Sequence, residues 1–325
     1  MSALVIGLPS KGRLQEQATA YLRDAGLVVK QTAREYRATL AGQPDIEVKL
    51  LSSADIVSAL GSGELHLGVT GEDLLRDTLP DMDSQVALLQ PLGFGFADVV
   101  VAVPNAWIDV STMADLDDVC SAFHVRHHKR LRIATKYTGL TRNFFAAHGI
   151  VDYRIVESLG ATEGAPASGT AEAIVDITTT GATLAANDLK ILDDGVILKS
   201  QAQLSASLKA RWDDAALAAA GRLTTRIAAR ELARGSHILR LRIEIASDEI
   251  VDMLVRDADC TLLSGPAQGN RTGEHAILCP REKLMTALKV LRARGVHNAV
   301  TVHQADYAFV ESNPMLAKLK AALAK

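Results

Sequence analysis

The residues with the clearest chemical potential form a hydroxyl-rich loop directly after an apolar run. Residues 171–177 are apolar except for two acids, and Asp176 stands near the end of that run. The loop that follows consists of Thr178, Thr179, Thr180, Gly181, Ala182 and Thr183. Its backbone N–H groups and hydroxyls could surround an anion, and a following helix N-terminus would add a positive dipole end. A phosphate monoester fits this set best, with Asp176 placed to accept hydrogen bonds from sugar hydroxyls. An ordinary threonine-rich turn explains the segment equally well, because threonine and glycine favour turns.

A second candidate is the basic turn Pro9-Ser10-Lys11-Gly12-Arg13, which follows the strand predicted for residues 3–8. In open α/β sheets, ligands bind outside the carboxyl ends of the strands, so cations here would face a ligand. Arg13 suits bidentate contacts with phosphate, and Lys11 supplies a point charge. The spacing is not that of a P-loop. A solvated basic loop is the commoner outcome for two isolated cations.

Two further clusters carry a weaker signal. Glu163, Glu172 and Asp176 could surround a sugar diphosphate and Mg²⁺, which prefers oxygen ligands, but taken alone they are better explained as a solvated acidic edge. The stretch 124–130 contains only histidine, valine, lysine and arginine, which could form a metal or nucleic-acid patch. No second cluster with ligand spacing accompanies it, so the sequence predicts a solvated loop there.

The pattern of apolar runs predicts the elements that position these residues. Short β-branched or alternating runs predict strands, and the helical spacing between them predicts an α/β layered domain. The predicted strands include residues 3–8, 46–50, 66–70, 99–103 and 131–135, and the predicted helices include residues 13–25, 112–118 and 139–148. Residues 200–233 are rich in alanine and arginine, which predicts a helical connector. From residue 238 the order β-α-β-β-α-β predicts a separate ferredoxin-like domain.

Composition restricts the class of protein. A chain of 325 residues predicts two or three modules, and the net charge of −3 with 4% aromatic residues disfavours a nucleic-acid binder. Three scattered cysteines are too few for a disulfide framework or a thiolate zinc site. The sequence shows neither a targeting segment nor an apolar run long enough to span a membrane, so we expect a cytoplasmic protein with no membrane contact.

An ordered series of segments resembles the ATP phosphoribosyltransferase family, which begins histidine biosynthesis. The series covers roughly residues 3–200 and consists of Leu8–Leu14, Leu67–Asp73, Leu92–Gly95, Val99–Pro104, Arg132–Tyr137, Leu140–Arg142, Gly160–Pro166, Ala173–Asp176 and Thr180–Leu184. Each segment is weak by itself, whereas their order is specific. The tail is similar to the regulatory domain of the family's long form.

The resemblance implies an α/β fold with a two-lobed, periplasmic-binding-protein-like catalytic core. Residues 1–100 and 185–234 would form the first lobe with its connector helix, and residues 101–184 would form the second lobe with the threonine loop. Residues 235–325 would form a ferredoxin-like, ACT-like domain for regulation or assembly. Histidine would be the inhibitor, and the chain would form a homo-oligomer, either a dimer or a hexamer.

The resemblance also implies a reaction. N1 of ATP would attack the anomeric carbon of phosphoribosyl pyrophosphate (PRPP), pyrophosphate would leave, and the configuration would invert. Mg²⁺ would bind mainly through the substrate phosphates. The expected PRPP-binding residues are Glu163, Asp176, Thr178, Thr179, Thr180, Gly181, Ala182 and Thr183, and the expected ATP-binding residues are Lys11, Gly12, Arg13 and Asp73. Lys11 and Arg13 are also the candidates for stabilising charge during catalysis.

Three departures from the family pattern are visible. The link before Arg132 is longer than usual, Glu172 stands where aspartate is usual, and the glycine-rich stretch 264–273 has no familiar counterpart. Two alternatives remain: a small-ligand sensor without catalysis on the same two-lobed fold, and a regulatory subunit with a degenerate core. The paired phosphate signals argue against the sensor, and the intact threonine loop argues against the subunit.

Overall fold

The computed structural model describes residues 4–31, 37–244, 248–266 and 272–324. These residues divide into two compact units. The first contains the described parts of Met1–Arg23, Val28–Ala220 and Ala317–Lys325, and the second contains those of Asp24–Leu27 and Gly221–Leu316. No helix among the described residues is both long and apolar enough to cross a membrane.

The first unit is built on two sheets. The strands of its first sheet are β1 (Leu4–Pro9), β2 (Val29–Gln31), β3 (Arg37–Leu40), β4 (Gln43–Leu51), β5 (Leu67–Gly71), β6 (Val86–Pro91) and β12 (Ala202–Ser207). Their spatial order is β2-β3-β4-β1-β5-β12-β6, with β1 parallel to β4 and β5, and β12 antiparallel to both its neighbours. The strands of the second sheet are β7 (Asp98–Pro104), β8 (Leu131–Thr135), β9 (Tyr153–Glu157), β10 (Ala173–Thr178) and β11 (Leu189–Leu198). Their order is β11-β7-β10-β8-β9, and β7 is antiparallel to both its neighbours.

The chain builds the second sheet from the consecutive strands β7–β11 and then returns to add β12 to the first sheet, which defines two lobes. The chain crosses between the sheets through residues 92–97 and returns through residues 199–201. The two crossings are bonded to each other: the Ala97 amide donates to the Ser200 carbonyl, and the Ala202 amide donates to the Phe94 carbonyl. This is the two-lobed arrangement that the resemblance implies, and the predicted fold class is confirmed. The return lies later than residue 185, because β11 pairs with β7 and therefore belongs to the second sheet.

The helices of the first unit cover the sheets. They are α1 (Gly12–Asp24), α2 (Ser53–Ser62), α3 (Glu72–Thr78), α4 (Met113–His127), α5 (Thr138–Ala147), α6 (Ala182–Ala186) and α7 (Asp214–Gly235), the last of which extends into the second unit. Local sequence explains their ends. Ser52 caps α2 by accepting a hydrogen bond from the Asp55 amide, and Thr112 forms a reciprocal capping box with Asp115 at the start of α4.

Two predictions about local structure were wrong. The helix predicted for residues 112–118 continues to His127 and ends at His128, which adopts a left-handed conformation with a φ of 56°. Half of the histidine-rich stretch is therefore helix rather than loop. Residues 202–207 form strand β12 instead of the start of a helix, because all six residues, which are small or apolar apart from Gln203, are buried between β5 and β6.

The second unit has the predicted β-α-β-β-α-β order. Its elements are β13 (Ser236–Ile243), α8 (Asp248–Ala258), β14 (Thr261–Ser264), β15 (Gly273–Pro280), α9 (Leu284–Ala293) and β16 (Thr301–His303), followed by α10 (Pro314–Leu323), which extends into the first unit. The sheet order β14-β15-β13-β16, with antiparallel neighbours throughout, is ferredoxin-like. Leu239 and Leu241 pack against Leu254 of α8 and Leu291 of α9. Residues 267–271 of the glycine-rich stretch lie outside the described residues.

Candidate active site

A cleft in the first unit is lined by residues from both lobes. Its cavity has a volume of about 480 Å³. The first lobe contributes Arg13, Gln17 and Asp73; the second contributes Lys136, Ile177 and Thr179; the crossing contributes Gly93, Phe94, Gly95, Phe96 and Ala97. Two groups of residues predicted from separate parts of the sequence therefore meet at one cavity.

Arg13 lies in the first turn of α1, directly after β1. Gly12 has a φ of 75°, so this turn requires the left-handed conformation that glycine adopts without steric cost. No acidic residue occupies the first turn of α1, and its N-terminus therefore favours a negatively charged partner. Lys11 and Gly12 are exposed on the same turn, but they are not among the described residues that line the cavity.

The threonine loop follows β10 as expected and opens α6. The Thr178 hydroxyl accepts from the Gly181 amide at 2.8 Å, and the Thr180 hydroxyl accepts from the Ala182 amide at 3.4 Å. The Thr179 hydroxyl donates to the Phe96 carbonyl at 3.1 Å. Two hydroxyls thus hold the loop in its tight turn, while the third attaches the loop to the crossing. Thr183 is exposed at the start of α6.

Asp176 lies beside two charged side chains that the fold brings near it. Burial raises the pKa of Asp176 above its ordinary value, and the negative charge of Glu163 acts in the same direction. The Ile177 amide, which donates to Asp176 at 2.8 Å, and the cation of Lys136 oppose this rise. The two carboxyl groups predicted to lie on the sugar side are therefore close enough to interact electrostatically.

Asp73 is buried and holds the two lobes together. Its Oδ1 accepts from the Ser200 hydroxyl at 3.0 Å, and its Oδ2 accepts from the Tyr137 hydroxyl at 2.8 Å. Tyr137 belongs to the second lobe and is 1% exposed. Burial raises the pKa of the Tyr137 hydroxyl, and the adjacent Asp73 charge raises it further, so this hydroxyl stays a hydrogen-bond donor.

One turn later on α3, Asp77 makes a second connection between the lobes. Its Oδ1 accepts from the Leu140 amide at 2.9 Å, at the N-terminus of α5. Tyr137, the residue at the capping position of α5, makes no side-chain cap of its own, so Asp77 supplies the cap from the other lobe. Gly139 permits this approach, because a Cβ at this position would collide with the Asp77 carbonyl. Burial raises the pKa of Asp77, although hydrogen bonds from the Leu140 and Gly139 amides oppose the rise.

Sequence reasoning assigned no role to Lys136, Tyr137 or Ser200. Lys136 and Tyr137 directly follow β8, and they therefore stand at the same carboxyl edge as the threonine loop, which follows the parallel strand β10. A position directly after a parallel strand indicates a binding residue, so the sequence could have pointed to Lys136 and Tyr137. Ser200 carries no such signal, because its place depends on the crossing between the lobes.

Glu172 lies away from the cleft. Its Oε2 accepts from the Arg132 amide at 2.7 Å, and its Oε1 lies 2.5 Å from the Arg132 guanidinium. These residues stand at the start of β8 and just before β10, whereas the cleft lies beyond the ends of these strands. Asp176 and Glu163 do not line the cleft cavity, but Asp176 directly precedes Ile177, which does, and both carboxylates offer the oxygen ligands that Mg²⁺ prefers. The described residues contain no group of three or more histidine, cysteine, aspartate or glutamate side chains arranged to hold a metal ion.

Comparison with known proteins gives a consistent result. Residues 52–229 match the family model described as "HisG: ATP phosphoribosyltransferase". The chain is 50% identical over 322 residues to an ATP phosphoribosyltransferase of Rhodopseudomonas palustris strain BisA53, covering 98% of each chain. It is also 50% identical over 327 residues to an ATP phosphoribosyltransferase of Bradyrhizobium diazoefficiens, covering 99% of each. Among solved structures, a chain of the "ATP phosphoribosyl transferase (HisG:HisZ) complex from Thermotoga maritima" is similar at 24% identity with a TM-score of 0.48, over 63% of this chain and 87% of that one.

Proposed function

The chain belongs to the ATP phosphoribosyltransferase family, and from that premise we propose how its cleft carries out the first step of histidine biosynthesis. In this step the phosphoribosyl group of PRPP is transferred to N1 of ATP, and pyrophosphate is released. One observation supports the placement of the reaction: Arg13 of one lobe lines a single cavity with Lys136 and with Thr179 of the threonine loop, which belong to the other lobe. Two phosphate-bearing substrates need two such groups facing each other.

PRPP binds on the second lobe in this proposal. Thr180 and Thr183 hold the 5′-phosphate from the loop that Gly181 and Ala182 complete, while Thr178 keeps the loop in its turn by accepting from the Gly181 amide. Thr179, which already lines the cavity, fixes the loop against the crossing.

The sugar and the leaving group of PRPP face the charged residues beside the loop. Asp176 and Glu163 accept hydrogen bonds from the ribose hydroxyls. Lys136, which faces Asp176, lies where a cation would stabilise the leaving pyrophosphate.

ATP binds against the first lobe. Arg13 contacts phosphate from the N-terminus of α1, where an anion is favoured, and Lys11 and Gly12 complete the same turn. Asp73 lines this side of the cavity, but both its oxygens already have donors in Ser200 and Tyr137. We therefore assign Asp73 to positioning the lobes, rather than to direct contact with the nucleotide.

The chain's contribution to the reaction is positioning and charge stabilisation. Attack by N1 of ATP as pyrophosphate departs gives a transition state with oxocarbenium character, which needs no covalent nucleophile. Binding of both substrates in one cleft aligns the attacking nitrogen with the anomeric carbon. Bound Mg²⁺ would neutralise negative charge on the pyrophosphate, and Asp176 and Glu163 are the carboxylates of the chain proposed to lie beside it.

A double variant tests the PRPP site. Thr180→Val with Thr183→Val keeps the volume of both side chains but removes two hydroxyl donors, each worth about 1.5–3 kcal/mol toward a charged group, and also removes the acceptor of the Ala182 amide. PRPP affinity, measured by calorimetry, should fall by at least about tenfold, while Thr170→Val, an exposed threonine of the same lobe outside the loop, should change nothing. Unchanged PRPP affinity in the folded double variant would refute the assignment.

The second unit is proposed to bind histidine and to assemble the enzyme in the cytoplasm as a homo-oligomer, either a dimer or a hexamer. Its sheet order is ferredoxin-like, and its edge strands β14 and β16 are largely exposed, which favours pairing with another copy. Histidine inhibits only if it binds an inactive arrangement more tightly than an active one. Activity measured with and without histidine, alongside molar mass in solution, tests both parts.

A further inference from the structure

A second cavity lies at the far end of the second sheet from the threonine loop. It has a volume of about 680 Å³. Arg132 and Arg154, near the starts of β8 and β9, contribute to its lining, as does Glu172, just before β10. The threonine loop begins at the other end of β10, so roughly 20 Å of strand separates this cavity, which we call the rear cavity, from the cleft.

The rear cavity is strongly basic. Lys129, Arg130, Arg132 and Arg154 line it together with one acid, Glu172, so the lysine, arginine and glutamate side chains give a formal charge of +3. The whole chain has a net charge of −3, so this concentration does not reflect the average surface.

Glu172, the acid that lines the rear cavity, is hydrogen-bonded to Arg132. Both oxygens of Glu172 accept from Arg132, whose Nη2 also donates to the Gly169 carbonyl at 2.9 Å. Among the residues that the structure describes, no acid pairs with Lys129, Arg130 or Arg154. Glu172 and Arg132 are therefore held in place by their mutual hydrogen bonds, whereas the charges of Lys129, Arg130 and Arg154 are not neutralised by any acid among the described residues.

Helix capping explains only part of this cluster. Cations near the end of α4 favour its negative dipole end, which accounts for Lys129 and Arg130 just beyond it. It does not account for Arg132 and Arg154, which are direct partners in the parallel pairing of β8 with β9. Glu172 neutralises Arg132 alone, so Arg154 is left as a cation that an anionic ligand could balance.

The wall of the rear cavity includes two rings. Phe123 and His127 have ring centroids 4.6 Å apart at an interplanar angle of 42°. Both side chains line the cavity. A ligand that carries a flat base beside its phosphates would find both a charged and an aromatic surface there.

We propose that the rear cavity binds a polyphosphate group through Lys129, Arg130 and Arg154, with a nucleoside triphosphate as the source that its aromatic wall favours. This site is separate from the proposed catalytic cleft and does not depend on the residues assigned there. In this proposal His127, Lys129 and Arg130 of the histidine-rich stretch form part of the wall of a ligand site.

Calorimetry on the full-length protein tests the proposal with inorganic tripolyphosphate and with UTP, whose base differs from that of the substrate. The cavity variant is Arg130→Glu with Arg154→Glu. The matched control is Arg126→Glu, an exposed arginine of α4 outside the cavity lining. Arg13→Glu separates binding in the cleft from binding in the rear cavity.

The unmodified protein and the variants Arg126→Glu and Arg13→Glu should retain a site that the cavity variant weakens by at least about tenfold. Affinity at this site should fall as salt is raised. Tighter binding of UTP than of tripolyphosphate identifies a nucleotide as the ligand, and equal binding identifies the phosphate chain alone. Phosphoribosyl transfer by the cavity variant should stay within about twofold of normal, which verifies its fold.

Two results would overturn the proposal. One is the absence of any site beyond that abolished by Arg13→Glu. The other is equal tripolyphosphate affinity in the cavity variant and the Arg126→Glu control.

Discussion

Replacing Tyr137 by phenylalanine removes one hydroxyl from the bridge between the lobes. That hydroxyl donates to the buried carboxylate of Asp73 at 2.8 Å, and the tyrosine is 1% exposed, so no solvent replaces it. A hydrogen bond to a charged group contributes about 1.5–3 kcal/mol. We expect a loss of about 2 kcal/mol in the free energy of unfolding, because Ser200 still donates to the other oxygen of Asp73. For a unit of this size the melting temperature should fall by roughly 4–8 °C.

The pH dependence of this effect has a defined sign. The pKa of Tyr137 is raised in the folded protein, so the stabilisation is fully present below the unfolded pKa of about 10 and is lost as the pH rises beyond it. The difference in stability between the unmodified protein and Tyr137→Phe should therefore be constant near neutrality and should narrow only in strong base.

Urea denaturation and steady-state kinetics form the assay, with Tyr153→Phe as the matched control. Tyr153 belongs to the same lobe, and its ring packs on Phe145. Because Tyr137 adjoins Lys136 and joins the lobes, its variant should also lower kcat/KM, whereas the control should leave it unchanged. If Tyr137→Phe has the same stability and the same kcat/KM as Tyr153→Phe, the hydrogen bond between Tyr137 and Asp73 contributes to neither, and the reasoning is refuted.

Three further predictions address the other parts of the molecule. Arg13→Ala should weaken the binding of phosphate-bearing substrates with little change in melting temperature, and the opposite pattern would make Arg13 structural. Burial opposes ionisation of Glu172, but hydrogen bonds from Arg132 outweigh it and lower the pKa. Since Arg132 is 41% exposed, Glu172→Gln should cost only about 1 kcal/mol at neutral pH, and denaturation should show this difference disappearing below about pH 4. Histidine should inhibit the full-length enzyme in a steady-state assay; if the full-length enzyme shows no histidine inhibition, the tail serves assembly alone.

The sequence predicts those site residues that directly follow strands. Arg13 follows β1 and the threonine loop follows β10, so local pattern and the rule for ligand binding at strand ends locate both. The bridge at Asp73 could not be predicted in this way. Its partners Tyr137 and Ser200 lie 64 and 127 residues away in the chain, and only the crossing between the lobes brings them together.

Nearness in sequence was also misleading in two places. Glu172 and Asp176 are four residues apart, but extended backbone separates them by roughly 13 Å, so Glu172 joins the rear cavity and Asp176 the cleft. The end of α4 was missed because polar histidines and cations conceal the helical period, whereas the capping box at Thr112 and the left-handed His128 define the helix in the structure.

The most direct test of the central claim is detection of the product. Purified full-length protein incubated with ATP, PRPP and Mg²⁺ should form N1-(5-phosphoribosyl)-ATP and pyrophosphate in equal amounts, as measured by mass spectrometry and a coupled pyrophosphate assay. The variant with Thr180→Val and Thr183→Val should form the same product at a much reduced rate at low PRPP concentration. Tight binding of one substrate by the unmodified protein without any product would contradict the claim and would identify a two-lobed ligand sensor instead.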